Sequence, residues 1–485
     1  GSTSEVVLAR IARRRTSELT ELLRPALSAN LLKGSEGRIS VAHESWVDHL
    51  IESIPDEPRR EMHRIVAEGL EALSPEPNLQ RRFQIATHFF RAEAGPLALR
   101  HLIEAAHLAE RVLAFDPAEE ALARAIACLP PAPDPALAEM AVELRLERTK
   151  ILAFAGRPRE AEVQLEEALE VAGHHRSTEG RMEELLMTLF QVVFALGPRP
   201  ALREVLTGAV DRFQRAKWSA SEAMARTLLA YLGLLGDRLP EAETEVNQAR
   251  PLSEGPGGEV ARLTVVLFDA MIHLWNVDRV PATLPETLES VRRSLRGSHL
   301  TELDLLATVV EARGAELQDG REACRKVTER GLVVAERTGT LWLELYLQSA
   351  RTELLLAEGA IDAALAALRR ARYLVEALHL VPPSPAMFRV WASEARLAQV
   401  QGRPEEAREV WVDLLTQSGY AKMPGTRAEA LFGLARLDVD VKAMERARQR
   451  IDQLREEGLD PYLPRRLAKE LPALSEEVAR ASRAD

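Results

Sequence analysis

The chain has 485 residues, 46% of them apolar and 28% charged, with 63 Lys and Arg against 74 Asp and Glu for a net charge of −11. The negative balance gives no electrostatic footprint for nucleic acid over the whole chain, and no apolar run reaches the ~18–20 residues that span a bilayer. Aromatics make up only 5%, a composition suited to closely packed helices. The two cysteines, Cys128 and Cys324, read as small buried hydrophobes of a reducing, cytoplasmic compartment. Gly1-Ser2 and the abrupt start fit a fragment of a longer protein.

Residues 1–75 differ in pattern from the remainder of the chain. Thr16 to Leu32 predicts a helix with Leu19, Leu22, Leu23, Leu27 and Leu31 on one face. Residues 33–37 read as a turn, and Arg38-Ile39-Ser40-Val41 alternates like a short strand. A helix is expected from His43 to Ile54. Asp56 and Pro58 then start another over Arg59 to Leu73. From Arg81 the helices pair: Phe83 to Ala92, Leu97 to Ala114, and Ala118 to Leu129. Residues 130–135 hold four prolines and form the clearest loop. Further loops are expected at 173–180, 253–258, 382–385 and 424–425.

From Ala136 a tight turn opening a helix recurs. It appears as Gly156-Arg157-Pro158-Arg159-Glu160-Ala161, at Gly236 to Ala242, at Gly359 to Ala364 and at Gly402 to Ala407, with weaker copies at Gly197, Val277 and Asp319. Aligned on alanine the ladder is Ala121, Ala161, Ala201, Ala242, Ala282, Ala323, Ala364, Ala407 and Ala443, spaced by 40, 40, 41, 40, 41, 41, 43 and 36. So steady a period means stacked copies of one helical hairpin. A small residue is expected where two antiparallel helices approach most closely. The fold class is therefore all-α: a right-handed superhelical solenoid of about eight or nine tetratricopeptide-like pairs over 76–455. A winged-helix-like segment precedes it at 1–75, and a more polar capping helix closes it within 456–485.

The run Ile39-Ser40-Val41-Ala42-His43-Glu44, followed by Arg59-Arg60-Glu61-Met62-His63-Arg64-Ile65-Val66-Ala67-Glu68-Gly69-Leu70, resembles the winged-helix-to-repeat junction of bacterial STAND-class signalling ATPases. LuxR-type regulators and ATPase-linked cyclases and Ser/Thr kinases share that junction. The chain differs in carrying Met62 where the family has Leu, and in lacking a nucleotide-binding segment. The resemblance implies the repeat region of a larger bacterial signal-transduction protein that binds and senses.

No G-x-x-x-x-G-K-[ST], G-x-S-x-G or H-E-x-x-H sequence occurs, so no enzyme, cofactor or metal is expected. His174-His175 reads as a solvated turn, and His43 and His63 as structural residues. What remains is a surface. In the tetratricopeptide register, the first helix of each pair lines the concave side. The residues expected in that groove are Lys150, Phe190, Phe194, Arg226, Met271, Trp275, Tyr346, Glu353, Arg389, Arg396 and Gln399. Phe154 and Glu183 belong to the same faces. The alternative placement puts these aromatics in the core. A protein or peptide partner in the groove is the first functional reading, and a small-molecule effector is the alternative.

Overall fold

The structure, a computed structural model, describes residues 1–485 except 1, 36, 44, 74–77, 131–132, 176–177, 180–181, 237, 256–257, 277–279, 298–299, 319, 381, 383, 464 and 482–485. The chain packs as two compact units, 1–151 and 152–485.

The first unit opens with β1 (Ser2–Ser4), α1 (Glu5–Ile11), α2 (Thr16–Ser28), β2 (Leu32–Ser35) and β3 (Arg38–Val41). The three strands form an antiparallel sheet of order β1-β3-β2, in which Ile39 pairs with Thr3 on one side and Gly34 on the other. Lys33 to Ser35, expected in the turn, therefore belong to a strand. Gly37 supplies the required left-handed backbone at φ 70°. The expected leucine face is only partly buried: Leu19 is covered, whereas Leu22 is exposed, because so small a sheet covers little of α2.

Next come α3 (Ser45–Glu52), α4 (Asp56–Leu73), α5 (Leu79–Arg91), α6 (Gly95–Arg111), α7 (Phe115–Ala127) and α8 (Pro135–Phe154). Helix α1 sits directly on α4. A Cβ at Gly69 would lie 2.7 Å from Ile11 Cγ1, so only glycine permits that approach. His63 of α4 and His88 of α5 place their Nδ1 atoms 3.0 Å apart. Burial pushes His88 down to about 4, and burial also lowers His63.

The second unit takes in the end of α8 and continues as helical pairs. These are α9 (Pro158–His174), α10 (Met182–Leu196), α11 (Pro200–Ala216), α12 (Ser219–Leu235), α13 (Leu239–Leu252), α14 (Glu259–Asn276), α15 (Leu284–Leu295) and α16 (Thr301–Gln318). They go on through α17 (Arg321–Thr338), α18 (Leu341–Glu358), α19 (Ile361–Ala377), α20 (Pro385–Val400), α21 (Pro404–Ala421), α22 (Pro424–Asp440) and α23 (Met444–Glu456) to α24 (Arg465–Ala481). Pro385 and Pro424, expected in loops, are instead the first residues of α20 and α22. Their fixed φ and missing N–H suit the first helical position. The even-numbered helices from α10 to α22 stack successively as one layer, and from α12 on each packs on the odd-numbered helix that follows it. The unit is an all-α solenoid of helix pairs, closed at its C-terminal end by α24. Leu467, Leu471, Leu474 and Val478 of α24 are buried with residues of α22 and α23.

The alanine ladder acquires a structural definition. Its buried rung is the fourth residue of the odd-numbered helix, whose N–H makes the helix's first intrahelical bond: Ala161 to Arg157, Ala242 to Arg238, Ala364 to Ala360, Ala407 to Arg403 and Ala447 to Ala443. All five alanines are fully buried. Three of the sequence-aligned rungs move. Ala201 is exposed and Leu202 is buried in its place, Cys324 rather than Ala323 is buried in α17, and Ala447 replaces Ala443. Ala282 lies before α15 and is exposed. The weak copies beginning at Val277 and Asp319 start outside the described residues. The closest approach is visible at Gly233 of α12, where a Cβ would stand 3.2 Å from Ala242 Cβ.

Candidate functional site

Inside the second unit the even-numbered helices meet one another across the turn of the solenoid. Phe194 of α10 lies 5.6 Å from the Trp342 ring and 5.4 Å from the Tyr346 ring, both on α18. Phe190 stacks on Phe268 of α14 at 4.8 Å and lies 5.9 Å from Tyr231 of α12. The Tyr231 and Tyr346 hydroxyls face each other at 3.4 Å, 115 residues apart in sequence. Polar contacts take the same path: Gln191 Nε2 donates to Glu302 of α16, and Glu183 Oε2 accepts from the Ala261 N–H at 2.8 Å. The result is a cluster of aromatic rings that fills the interior between α10 and α18. Phe190, Phe194, Tyr231 and Phe268 are 0–1% exposed, and Met271 is 3% exposed. Burial raises the phenol of Tyr231, with Tyr346 beside it adding to the effect; burial also raises Tyr346, and the nearby Arg389 guanidinium pulls it partly back.

The remaining residues expected in the groove take other places. Tyr346 and Arg389 are half-buried, with Arg389 Cζ 5.6 Å above the Tyr346 ring. Arg396, farther along α20, lies 2.7 Å from Glu353 of α18 and also pairs with Glu429 of α22. Burial alone would lower Arg396, and the two carboxylates more than offset that, holding it above its ordinary value. Ser393 Oγ donates to Glu353 as well. Gln399 Oε1 accepts from Trp411 Nε1 at 3.2 Å, and Arg396 stands over the Trp411 ring. Arg226 pairs with Glu222 at 2.9 Å and with Glu245 at 3.1 Å, which ties α12 to α13. Lys150 belongs to the first unit, where Nζ is 2.6 Å from Glu110. Trp275 is on α14, and its side chain lies outside the described residues.

Two surroundings therefore share the inner layer: a closed aromatic interior from α10 to α18, and a ladder of half-buried polar side chains running from α18 through α20 to α22. Sequence reasoning misses Tyr231, Phe268 and Trp342. Tyr231 is within its reach, since that residue comes 41 positions after Phe190, one repeat period. Among the described residues no group of three or more His, Cys, Asp or Glu could hold a metal ion, and no helix is long and apolar enough to cross a membrane.

No protein-family model matches the chain, and no curated protein matches it. Solved structures with the same general build include a signal transduction ATPase with numerous domains, carrying a tetratricopeptide repeat sensor, from Pyrococcus horikoshii. It is 13% identical, with a TM-score of 0.44, and the alignment covers 97% of this chain and 63% of that one. The chain thus spans less than two thirds of that protein's length. The apo form of RapI is 11% identical with a TM-score of 0.34, covering 84% of this chain and 98% of its own. The Cut9–Hcn1 hetero-tetramer of the APC/C gives 12% and 0.26, covering 96% and 99%.

Proposed function

We propose that the chain is the interaction and sensing region of a larger bacterial signal-transduction protein of the STAND type, working in the cytoplasm and holding a protein partner along the inner layer of its C-terminal repeats. In this reading 1–75 is a winged-helix-like segment, 76–455 the repeat array and 456–485 the cap. The order β1, two helices, then the β2–β3 hairpin supports the first assignment. The chain contributes no catalytic step of its own.

The observation that carries the proposal is the contrast within the inner layer. Between α10 and α18 aromatic rings occupy the space a peptide would need. From α18 to α22 the layer instead presents half-buried polar side chains: Glu353, Arg396 and Glu429 pair from one repeat to the next, and Gln399 accepts from Trp411 within its own helix pair. Such a row offers donors and acceptors at repeat spacing, the pattern an extended partner reads most readily.

Photo-crosslinking in cells tests the reading. A photoreactive residue at Gln399 should trap a defined protein that the same residue at Val163, exposed on the odd-numbered face, does not trap. Arg396→Glu should abolish the product. Equal trapping from both positions, or none from Gln399, would reject the inner layer as the docking face.

A further inference from the structure

The aromatic interior holds more hydrogen-bond donors than it can use. The Tyr231 and Tyr346 hydroxyls bring two protons to a contact that accommodates one. The indole N–H of Trp342, a residue only 3% exposed, has no acceptor among the described residues. Buried donors are nearly always paired, so an orphan at this place calls for an explanation. Arg389 adds five N–H groups and a full positive charge. Among the described residues no carboxylate lies within ion-pair distance of it, whereas Arg396, seven residues on, has Glu353 and Glu429. Arg389 and Tyr346 are both half-buried, so the open edge of the cluster lies where the charge is.

We propose that Arg389, Tyr346, Tyr231 and Trp342 form a binding site for a small oxyanion, a carboxylate or phosphate ester carried on an aromatic or apolar body. The anionic oxygens would take the guanidinium fork and the spare phenol proton, and the body would lie against the half-buried Tyr346 ring at the open edge of the cluster. The chemistry matches on each count. Arginine's planar fork suits two oxygens of one anion, the rings supply apolar walls, and among the described residues no carboxylate pairs with Arg389 to compete. The inference goes beyond the interaction reading and stands whether or not a protein docks on α18–α22.

Calorimetric titration of the whole chain with benzoate, with phenyl phosphate and with neutral benzamide tests it. Either anion should bind saturably, with benzamide at least about tenfold weaker. Arg389→Gln should weaken anion binding by about tenfold or more, and Tyr346→Phe by a few-fold. Arg296→Gln, at an exposed position, should change nothing. Melting temperatures measured in parallel separate lost binding from lost fold. The proposal is overturned if neither anion binds the wild-type chain, if benzamide binds as well as they do, or if a folded Arg389→Gln binds as the wild type does.

Discussion

Gly433 on α22 is the position where one methyl group should do most harm. A Cβ there would lie 2.4 Å from Trp411 Cε2 and 2.6 Å from Cζ2, about 1 Å short of an ordinary carbon contact. The Trp411 ring has little room to retreat. It is 1% exposed, its Nε1 is bonded to Gln399, and Arg396 stands over its face. Gly433→Ala must therefore part α21 from α22 or break that bond, an overpacking cost of about 1–3 kcal/mol. Alanine's higher helix propensity returns at most about 1 kcal/mol. The net loss is about 1–2 kcal/mol, concentrated in α20–α22. Gly208→Ala provides the opposite sign: nothing lies within 4 Å of the added carbon in mid-α11, so only the propensity gain of about 0.5–1 kcal/mol remains. Denaturant unfolding of both variants, with hydrogen exchange to locate the change, gives the comparison. If Gly433→Ala stabilises the chain as Gly208→Ala does, the close α21–α22 approach is wrong.

Other expectations are as direct. Ala161→Leu and Ala364→Leu, at fully buried rungs, should each cost about 1–3 kcal/mol in thermal or urea unfolding, whereas Ala201→Leu, at an exposed position, should cost almost nothing. Arg396→Ala leaves Glu353 and Glu429 without their shared cation and should destabilise by about 2 kcal/mol, allowing for residual exposure, with Arg396→Lys recovering part of it. His88, held near 4 when folded against an ordinary 6.5, favours the folded state fully above pH ~6.5, and that stability is lost as pH falls through the folded value. Hydrogen-exchange protection factors in α4 and α5 should accordingly fall between pH 7 and 5, and His88→Gln should reduce that dependence, leaving the part that His63 contributes. Burial pushes the Cys324 thiol up to about 11, so Ellman's reagent at pH 8 should reach Cys128 slowly and Cys324 only after unfolding.

The repeat was legible because its cause is local. A glycine with left-handed backbone, as at Gly156, Gly359 and Gly402, a proline or acidic first turn, and a small residue at the helix approach each leave a mark within ten residues. Register was less secure where leucine or cysteine takes the alanine's place, as Leu202 and Cys324 do. Local sequence cannot tell a small residue facing the partner helix from one facing water. Of the interior, the residues Phe190, Phe194 and Met271 were legible, and so was the core as their alternative place, but not which rings meet. Phe194 meets Tyr346 because small rotations accumulate over several helix pairs, and no spacing in the chain records their sum. Arg389 and Arg396 look alike in sequence, both on one face of α20. Only the structure shows that one has two carboxylates and the other has a tyrosine ring.

The contacts between α10 and α18 also bear on how the second unit comes apart. A simple solenoid is a line of nearest neighbours, and such a line can unravel from either end one hairpin at a time. Here Tyr231 is bonded to Tyr346, and Gln191 to Glu302, 115 and 111 residues away. These cross-links turn the stretch from α10 to α18 into a loop closed on itself, which must open as a whole. The hairpins beyond it, α21 to α24, show contacts between neighbouring pairs among the described residues and are free to fray singly. Pulled from its C-terminus, the chain should yield in small, separate steps until the force reaches α18, and then in one large event.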